Sequence, residues 1–180
     1  RITGRIYYAS MLMVGTSSLV LAYLNLNYFL LMVGVFTLFM VLSGKRYLKH
    51  KNIPNANHID WAITIFMLVG GLLFVGIGIL TLIKANFFGF VFVTFGSLGL
   101  LFVRQDYINY KKNSAIKNYW LLGHLQRMIG SFIAAITAFL VVNGTYFPDQ
   151  IPGFVLWLLP TAILTPLIIK WSNKYAIKTR

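Results

Sequence analysis

The sequence predicts an all-α, polytopic transmembrane helix bundle, and three observations lead to that prediction. Of the 180 residues, 58% are hydrophobic and only 11% are charged, whereas a soluble domain is about one quarter charged. The apolar residues form long unbroken runs, unlike the short alternating segments of a membrane β-barrel. The Lys and Arg residues cluster between these runs. Lipid rather than water is therefore expected to solvate most of the surface.

Six apolar segments are long enough to cross a bilayer, because a helical span needs about 20 residues at a rise of about 1.5 Å each. The second segment is short and is expected to recruit flanking residues such as Asn27 or Lys45. Residues 1–180 are predicted to form a single transmembrane helical domain. The predicted spans are Ile6–Tyr23, Tyr28–Ser43, Trp61–Ile83, Phe87–Val103, Tyr119–Val142 and Gly153–Lys170.

The positions of the basic residues predict the orientation of these spans. Fourteen of the 16 Lys and Arg residues lie on one side, and the opposite side has only Lys84. Cytoplasmic loops carry an excess of Lys and Arg, so the basic loops and the C-terminus are predicted to be cytoplasmic. An anionic lipid surface also accounts for the net charge of +13. The expected partner is therefore the lipid bilayer, and no nucleic acid is expected.

Predicted helix five contains the candidate functional residues His124 and Arg127. They are three positions apart and share a helical face. An Arg at the bilayer centre costs about 2.5–3.5 kcal/mol, so it normally faces the bundle interior or a water-filled cavity. One interpretation is a cavity that binds haem b, a quinone, a proton or a lipid head group. The alternative is that Arg127 reaches lipid phosphate while His124 forms a hydrogen bond within the bundle.

The remaining ionisable residues predict no catalytic or metal site. His50 and His58 lie in the loop after helix two, where both are expected to be solvated. The three acidic residues, Asp60, Asp106 and Asp149, lie outside the predicted spans and form no acid–base pair or metal-ligand cluster. The absence of a carboxylate inside the membrane argues against an ion-coupled transporter. The residue pattern therefore favours a protein that is not an enzyme.

Predicted helix six contains two proline–threonine pairs, Pro160–Thr161 and Thr165–Pro166. Each proline removes a helical hydrogen bond from the carbonyl four residues earlier. Such a position is either a structural kink or a gating element next to a binding site. The glycines in helix three, among them Gly70 and Gly78, are expected to allow close helix packing.

Three segments resemble a known family. Arg1–Tyr8 resembles the HRxxGRxY opening of a family of bacterial multi-pass membrane proteins whose domain has no known function. His124–Asn143 and Trp157–Ile169 are similar to Bacteroidetes-type members of that family. The resemblance implies a bacterial inner membrane, a further helix upstream and a His before Arg1. It implies no activity, cofactor or substrate.

Three functions fit these observations. The favoured one is a small non-catalytic or accessory subunit of a larger membrane assembly. A second is a membrane electron carrier that binds haem or a quinone through His124 and Arg127. A third is a transporter of a small solute or a lipid, gated by the proline kinks of helix six.

Overall fold

The computed structural model describes residues 2–51, 55–111, 116–146 and 151–177. It confirms the all-α fold: all six α-helices are long and apolar enough to cross a membrane. Short 3-10 helices follow α2 at Leu48–Lys51 and α5 at Gly144–Tyr146. The α-helices are α1 (Ile2–Leu24), α2 (Tyr28–Tyr47), α3 (His58–Ile83), α4 (Gly89–Tyr110), α5 (Tyr119–Val142) and α6 (Gly153–Tyr175).

Most of the helices extend beyond the predicted spans, and they do so where the basic residues lie. α2 continues to Tyr47, α4 to Tyr110 and α6 to Tyr175, whereas α5 has the predicted bounds. The predicted spans end where the apolar run ends, but backbone hydrogen bonding continues through Lys, Arg and Gln, which are good helix formers. The extra turns place Asp106 inside α4.

α2 is the central helix of the bundle and packs against α1, α3 and α5. It is the most buried of the six, while α1 and α6 lie at the periphery and expose most of their surface. Phe39, Met40 and Val41 of α2 are almost completely buried. Phe36 of α2 packs edge-on against Phe95 of α4, with ring centroids 5.3 Å apart. Aromatic and methionine side chains therefore fill the space between the helices.

Glycines bring α3 and α4 into close contact, as the sequence predicts. A Cβ atom at Gly78 would lie 2.9 Å from the carbonyl oxygen of Gly89, and one at Gly96 would lie 3.0 Å from that of Gly71. Gly76, on another face of α3, has open space around it. The small residues thus serve packing along one face of α3.

One end of the bundle, here called the basic end, carries the starts of α1, α3 and α5 and the ends of α2, α4 and α6. Contacts between these segments hold it together. Arg46 pairs with Asp60, the Lys51 ammonium lies 5.5 Å from the centre of the Trp120 ring, and the Lys117 amide donates to the Ile177 carbonyl at 2.8 Å. Basic residues that are far apart in the sequence therefore lie at the same end of the molecule.

Candidate functional site

A buried ion pair between Arg127 of α5 and Asp106 of α4 lies towards the basic end. Both side chains have no solvent exposure, and the guanidinium donates directly to the carboxylate. Arg127 also donates to the Ser43 hydroxyl and to the Phe102 carbonyl, each at 3.2 Å. The centre of the Phe102 ring lies 4.1 Å from the guanidinium carbon. Arg127 is therefore held inside the bundle and does not reach lipid phosphate.

The Asp106 carboxylate also binds side chains from two further helices. The Tyr47 hydroxyl of α2 donates to it at 2.6 Å, and the Thr64 hydroxyl of α3 lies 3.1 Å from its second oxygen. The amide of Asn109 donates to the Tyr47 hydroxyl at 3.0 Å. With Arg127, this network joins α2, α3, α4 and α5. A carboxylate with this many hydrogen bonds is well suited to hold helices together.

The prediction that the acidic residues lie outside the spans is therefore wrong for Asp60 and Asp106, which are buried inside the candidate spans His58–Ile83 and Gly89–Tyr110. Asp106 lies one turn beyond the last apolar residue of the predicted fourth span, and α4 continues through it. Its charge is tolerated because Arg127 neutralises it and the surrounding hydroxyls satisfy its oxygens. The placement of the acidic residues therefore does not argue against an ion-coupled transporter.

A second ion pair, between the partly exposed Arg46 and the buried Asp60, links the end of α2 to the start of α3. The Asp60 carboxylate accepts hydrogen bonds from Arg46 at 2.7 and 3.0 Å, and the His50 ring lies 3.3 Å away. Asn57 and Asp60 form a capping box at the start of α3. The prediction that His50 is solvated is wrong, since it is only 4% exposed; His58 is exposed, as predicted.

A basic cavity of about 600 Å³ opens between α1, α2 and α5. Four polar or charged side chains line it: Arg5 and Tyr8 from α1, Lys45 from α2 and His124 from α5. The Lys45 ammonium lies over the Tyr8 ring, 4.0 Å from its centre. Gly4, Leu48 and Met128 complete the lining.

Positive charge in this basic cavity has no acidic counterpart in the described part of the chain. Of the three acidic residues, Asp60 pairs with Arg46 and Asp106 pairs with Arg127. Asp149 lies outside the described residues. Arg5 and Lys45 make no ion pair within residues 2–51, 55–111, 116–146 and 151–177. The cavity is therefore electrostatically suited to an anion.

The structure separates the two residues that the sequence groups into one site. His124 lines the basic cavity, whereas Arg127 is enclosed by the ion-pair network. The His124 Nδ1 atom lies 2.8 Å from the Gly44 carbonyl oxygen. Because a carbonyl only accepts hydrogen bonds, Nδ1 carries a proton and donates it to this contact. His124 is thus oriented by α2, and its binding of a cofactor stays a prediction.

The proline–threonine pairs of α6 lie inside one continuous helix, Gly153–Tyr175. Thr161 and Thr165 line a cleft between α4 and α6. Pro160 is buried, and Pro166 is exposed. The hydroxyl of Thr161 is buried without a hydrogen-bond partner among the described residues. The gating role of these four residues stays a prediction.

The sequence analysis missed Asp106, Tyr47 and the cavity residues Arg5 and Lys45. One signal pointed to Asp106: an Arg inside a membrane helix normally pairs with an acid, and the chain has only three. Among these, Asp60 and Asp106 lie within three residues of a predicted span, so one of these two was the expected partner. No comparable signal pointed to Arg5 and Lys45, because the orientation of the spans was a sufficient explanation for their positive charge.

Comparisons with protein-family models, with curated proteins and with solved structures find no match to this chain. The resemblance to the bacterial HRxxGRxY family therefore stays a prediction.

Proposed function

We propose that this protein is a non-catalytic membrane protein that binds the phosphate group of an anionic lipid in its basic cavity. The main observation behind this proposal is that Arg5, Lys45 and His124 line one cavity of about 600 Å³. The described lining residues of this cavity include no acidic side chain. The two cations, Arg5 and Lys45, match the charge and the acceptor oxygens of a phosphate. The function follows from this complementarity.

The position of the cavity favours a lipid over a soluble anion. Arg5 lies near the start of α1 and Lys45 near the end of α2, so both belong to the basic end. Basic pockets between membrane helices on the cytoplasmic side bind anionic head groups. Met128 and Leu48 add apolar surface next to the charges, and acyl chains can pack there. The ligand is therefore expected to be amphiphilic.

Lipid binding is best tested by native mass spectrometry of the protein in detergent. Phosphatidylglycerol, which is anionic, is compared with phosphatidylcholine, which carries the same phosphate but no net charge. Each basic residue contributes about 1 kcal/mol to binding at an anionic surface. The Arg5→Ala/Lys45→Ala double variant is therefore expected to lose affinity for phosphatidylglycerol by about 10-fold or more.

A matched control removes two exposed basic residues that lie elsewhere at the basic end. Arg104→Ala/Lys174→Ala changes the net charge equally, and neither residue lines the cavity. Its affinity for phosphatidylglycerol is expected to equal that of the wild type. Equal losses in both double variants would mean that the lipid recognises net charge only, and the proposal would then be abandoned.

We place the protein in the inner membrane of a bacterium, with the basic end in the cytoplasm. The excess of Lys and Arg supports this orientation, and the resemblance to the HRxxGRxY family supports the bacterial origin. A cysteine introduced at Lys174 would then react with an impermeant thiol reagent only after the cells are opened. Labelling in intact cells would show that the basic end faces the outside of the cell, and the proposed orientation would then be wrong. The chain contains no native cysteine to interfere.

An accessory role in a larger assembly fits the same protein. α1 and α6 expose most of their surface, so neighbouring subunits have two helix faces to contact. Crosslinking in native membranes, followed by purification, is expected to recover a defined membrane-protein partner. Recovery of the free chain alone would count against the accessory role.

Binding of haem b at His124 is a second candidate function. A haem-ligating histidine commonly donates its other ring N–H to a backbone carbonyl, and His124 makes such a contact with Gly44. Arg5 and Lys45 could pair with the propionates, whereas Arg127 is occupied by Asp106. The oxidised and reduced absorption spectra of the purified protein test this. A Soret band that is lost in His124→Ala would support binding of haem b at His124. A featureless visible spectrum would exclude it.

A further inference from the structure

The cleft between α4 and α6 lies apart from the basic cavity. α6 packs on α5 and contacts α4 at only a few positions, so a gap remains between α4 and α6. α2 and α5 form the floor of the gap. The cleft has an apolar part of about 250 Å³ and a polar part of about 190 Å³. Gln105 and Gln126 lie between the two parts and line each of them.

The two parts differ in the chemistry of their walls. The apolar part is walled by aromatic and aliphatic side chains and has two hydroxyls, those of Thr161 and Thr165. The polar part lies nearer the basic end, between the ends of α4 and α6 and the start of α5. Its walls carry amides and hydroxyls, from Gln105, Asn109, Tyr119, Gln126, Ser172 and Asn173.

Hydrogen-bonding capacity remains available in the middle of this cleft. Gln105 uses one N–H on Asn109 at 3.2 Å, and Gln126 uses one N–H on Ser172 at 3.0 Å. Each amide can make further hydrogen bonds through its oxygen and its second N–H. The Thr161 side chain lines the apolar part, and its buried hydroxyl has no hydrogen-bond partner in the described ranges. A buried polar atom without a partner is costly, so a ligand that satisfies it gains affinity.

The cleft contains no charged side chain among its described lining residues. Tyr119 is the single ionisable residue in its wall. The nearby Arg127 is neutralised by Asp106 and lines neither part. Without a counter-ion, a charged head group would lose its hydration and gain no ion pair. The walls of this cleft therefore suit an uncharged group.

We propose that the cleft binds an uncharged lipid whose head group carries carbonyl or hydroxyl oxygens. The head group lies between Gln105 and Gln126, with one of its oxygens next to Thr161. The tail runs along Phe36 and Phe95 and leaves the cleft between α4 and α6. A membrane quinone and a diacylglycerol share this chemistry. The site is separate from the proposed anionic-lipid site, because the two share no lining residue and only the basic cavity has charged side chains among its described lining residues.

Binding is measured on the full chain in detergent by native mass spectrometry and isothermal titration calorimetry. A short-chain ubiquinone and a short-chain diacylglycerol serve as the two probes. A saturable 1:1 complex with either probe is expected, and the tighter one identifies the head group. Binding of the quinone alone indicates a planar ring site, and binding of the diacylglycerol alone indicates an acyl-lipid site.

Two variants test whether the bound probe lies in the cleft. Thr161→Val removes the buried hydroxyl at constant shape and is expected to weaken binding by about 2- to 10-fold, as for one neutral hydrogen bond. Leu98→Trp fills the apolar part and is expected to abolish binding. The matched controls are Thr16→Val, whose hydroxyl bonds to its own helix, and Leu80→Trp, which alters an exposed residue of α3.

Two outcomes would overturn the proposal. The first is that neither probe forms a saturable complex with the wild-type protein. The second is that Leu98→Trp and Leu80→Trp bind a probe equally well, which would place the probe elsewhere. Phosphatidylglycerol binding by Leu98→Trp is measured in parallel and is expected to be unchanged. That measurement separates failure of this site from failure of the basic cavity and from misfolding.

Discussion

The guanidinium of Arg127 and the carboxylate of Asp106 bind each other at a position where neither has any solvent exposure. The two residues come from α5 and α4, which follow one another in the chain. Each charge would be costly to bury alone, and together they form a neutral pair with further partners on α2 and α3. Correct packing of four helices is thereby coupled to one ion pair.

Breaking this pair from one side is expected to destabilise the bundle strongly. Asp106→Asn leaves the Arg127 charge buried without a counter-ion, which costs about 3–5 kcal/mol. The free energy of unfolding is measured by SDS titration in mixed micelles. Arg127→Met is expected to be damaging as well, because it leaves the Asp106 charge uncompensated.

The double variant Asp106→Asn/Arg127→Met is the control for direct pairing. It removes both charges at once, so its loss of stability is expected to be smaller than the sum of the two single losses. Strict additivity would show that the residues act separately. A wild-type stability for Asp106→Asn would show that the network does not hold the helices together.

Close packing of α3 on α4 depends on the absence of a side chain at Gly78. Gly78→Ala places a Cβ 2.8 Å from the Val93 amide nitrogen, so it is expected to lower the unfolding free energy by about 1–3 kcal/mol. Gly76→Ala is the matched control on the same helix, because nothing lies within 4 Å of its Cβ. It is expected to be neutral or slightly stabilising. A loss of stability in both variants would attribute the effect to something other than helix contact.

The Asp60 carboxylate is predicted to hold the end of α2 and the 3-10 helix Leu48–Lys51 against the start of α3. Asp60→Asn weakens the contacts with Arg46 and His50 and one half of the capping box. Hydrogen exchange of amides in Leu48–Lys51 and in the first turn of α3 is expected to become faster. His58→Ala, at an exposed position two residues away, is the control. An unchanged exchange pattern in Asp60→Asn would contradict the anchoring role.

The number and type of helices could be predicted from the sequence, because a bilayer imposes a length and a composition on every span. Even the bounds of α5 agree with the prediction. The ends of α4 and α6 could not be predicted in the same way. Lipid contact sets the apolar run, whereas helix length depends on backbone hydrogen bonds that polar residues continue.

The candidate site was less accessible to sequence reasoning, since it depends on which helices are neighbours. His124 and Arg127 share a face, yet one lines a cavity and the other is enclosed. The difference arises from their partners, Gly44 for His124 and Asp106 for Arg127. Helical spacing contains no information about these partners, which come from α2 and α4.

Two buried threonines are predicted to respond oppositely to the same substitution. The Thr137 hydroxyl is buried without a hydrogen-bond partner in the described part of the chain, so Thr137→Val removes an unsatisfied polar atom and is expected to raise the unfolding free energy by about 1 kcal/mol. The Thr64 hydroxyl lies 3.0 Å from the Asp60 carbonyl and 3.1 Å from Asp106. Thr64→Val is therefore expected to lower the unfolding free energy by about 1–3 kcal/mol. SDS titration of both variants checks the two signs, and a change of equal sign would mean that side-chain shape, not hydrogen bonding, decides stability at these positions.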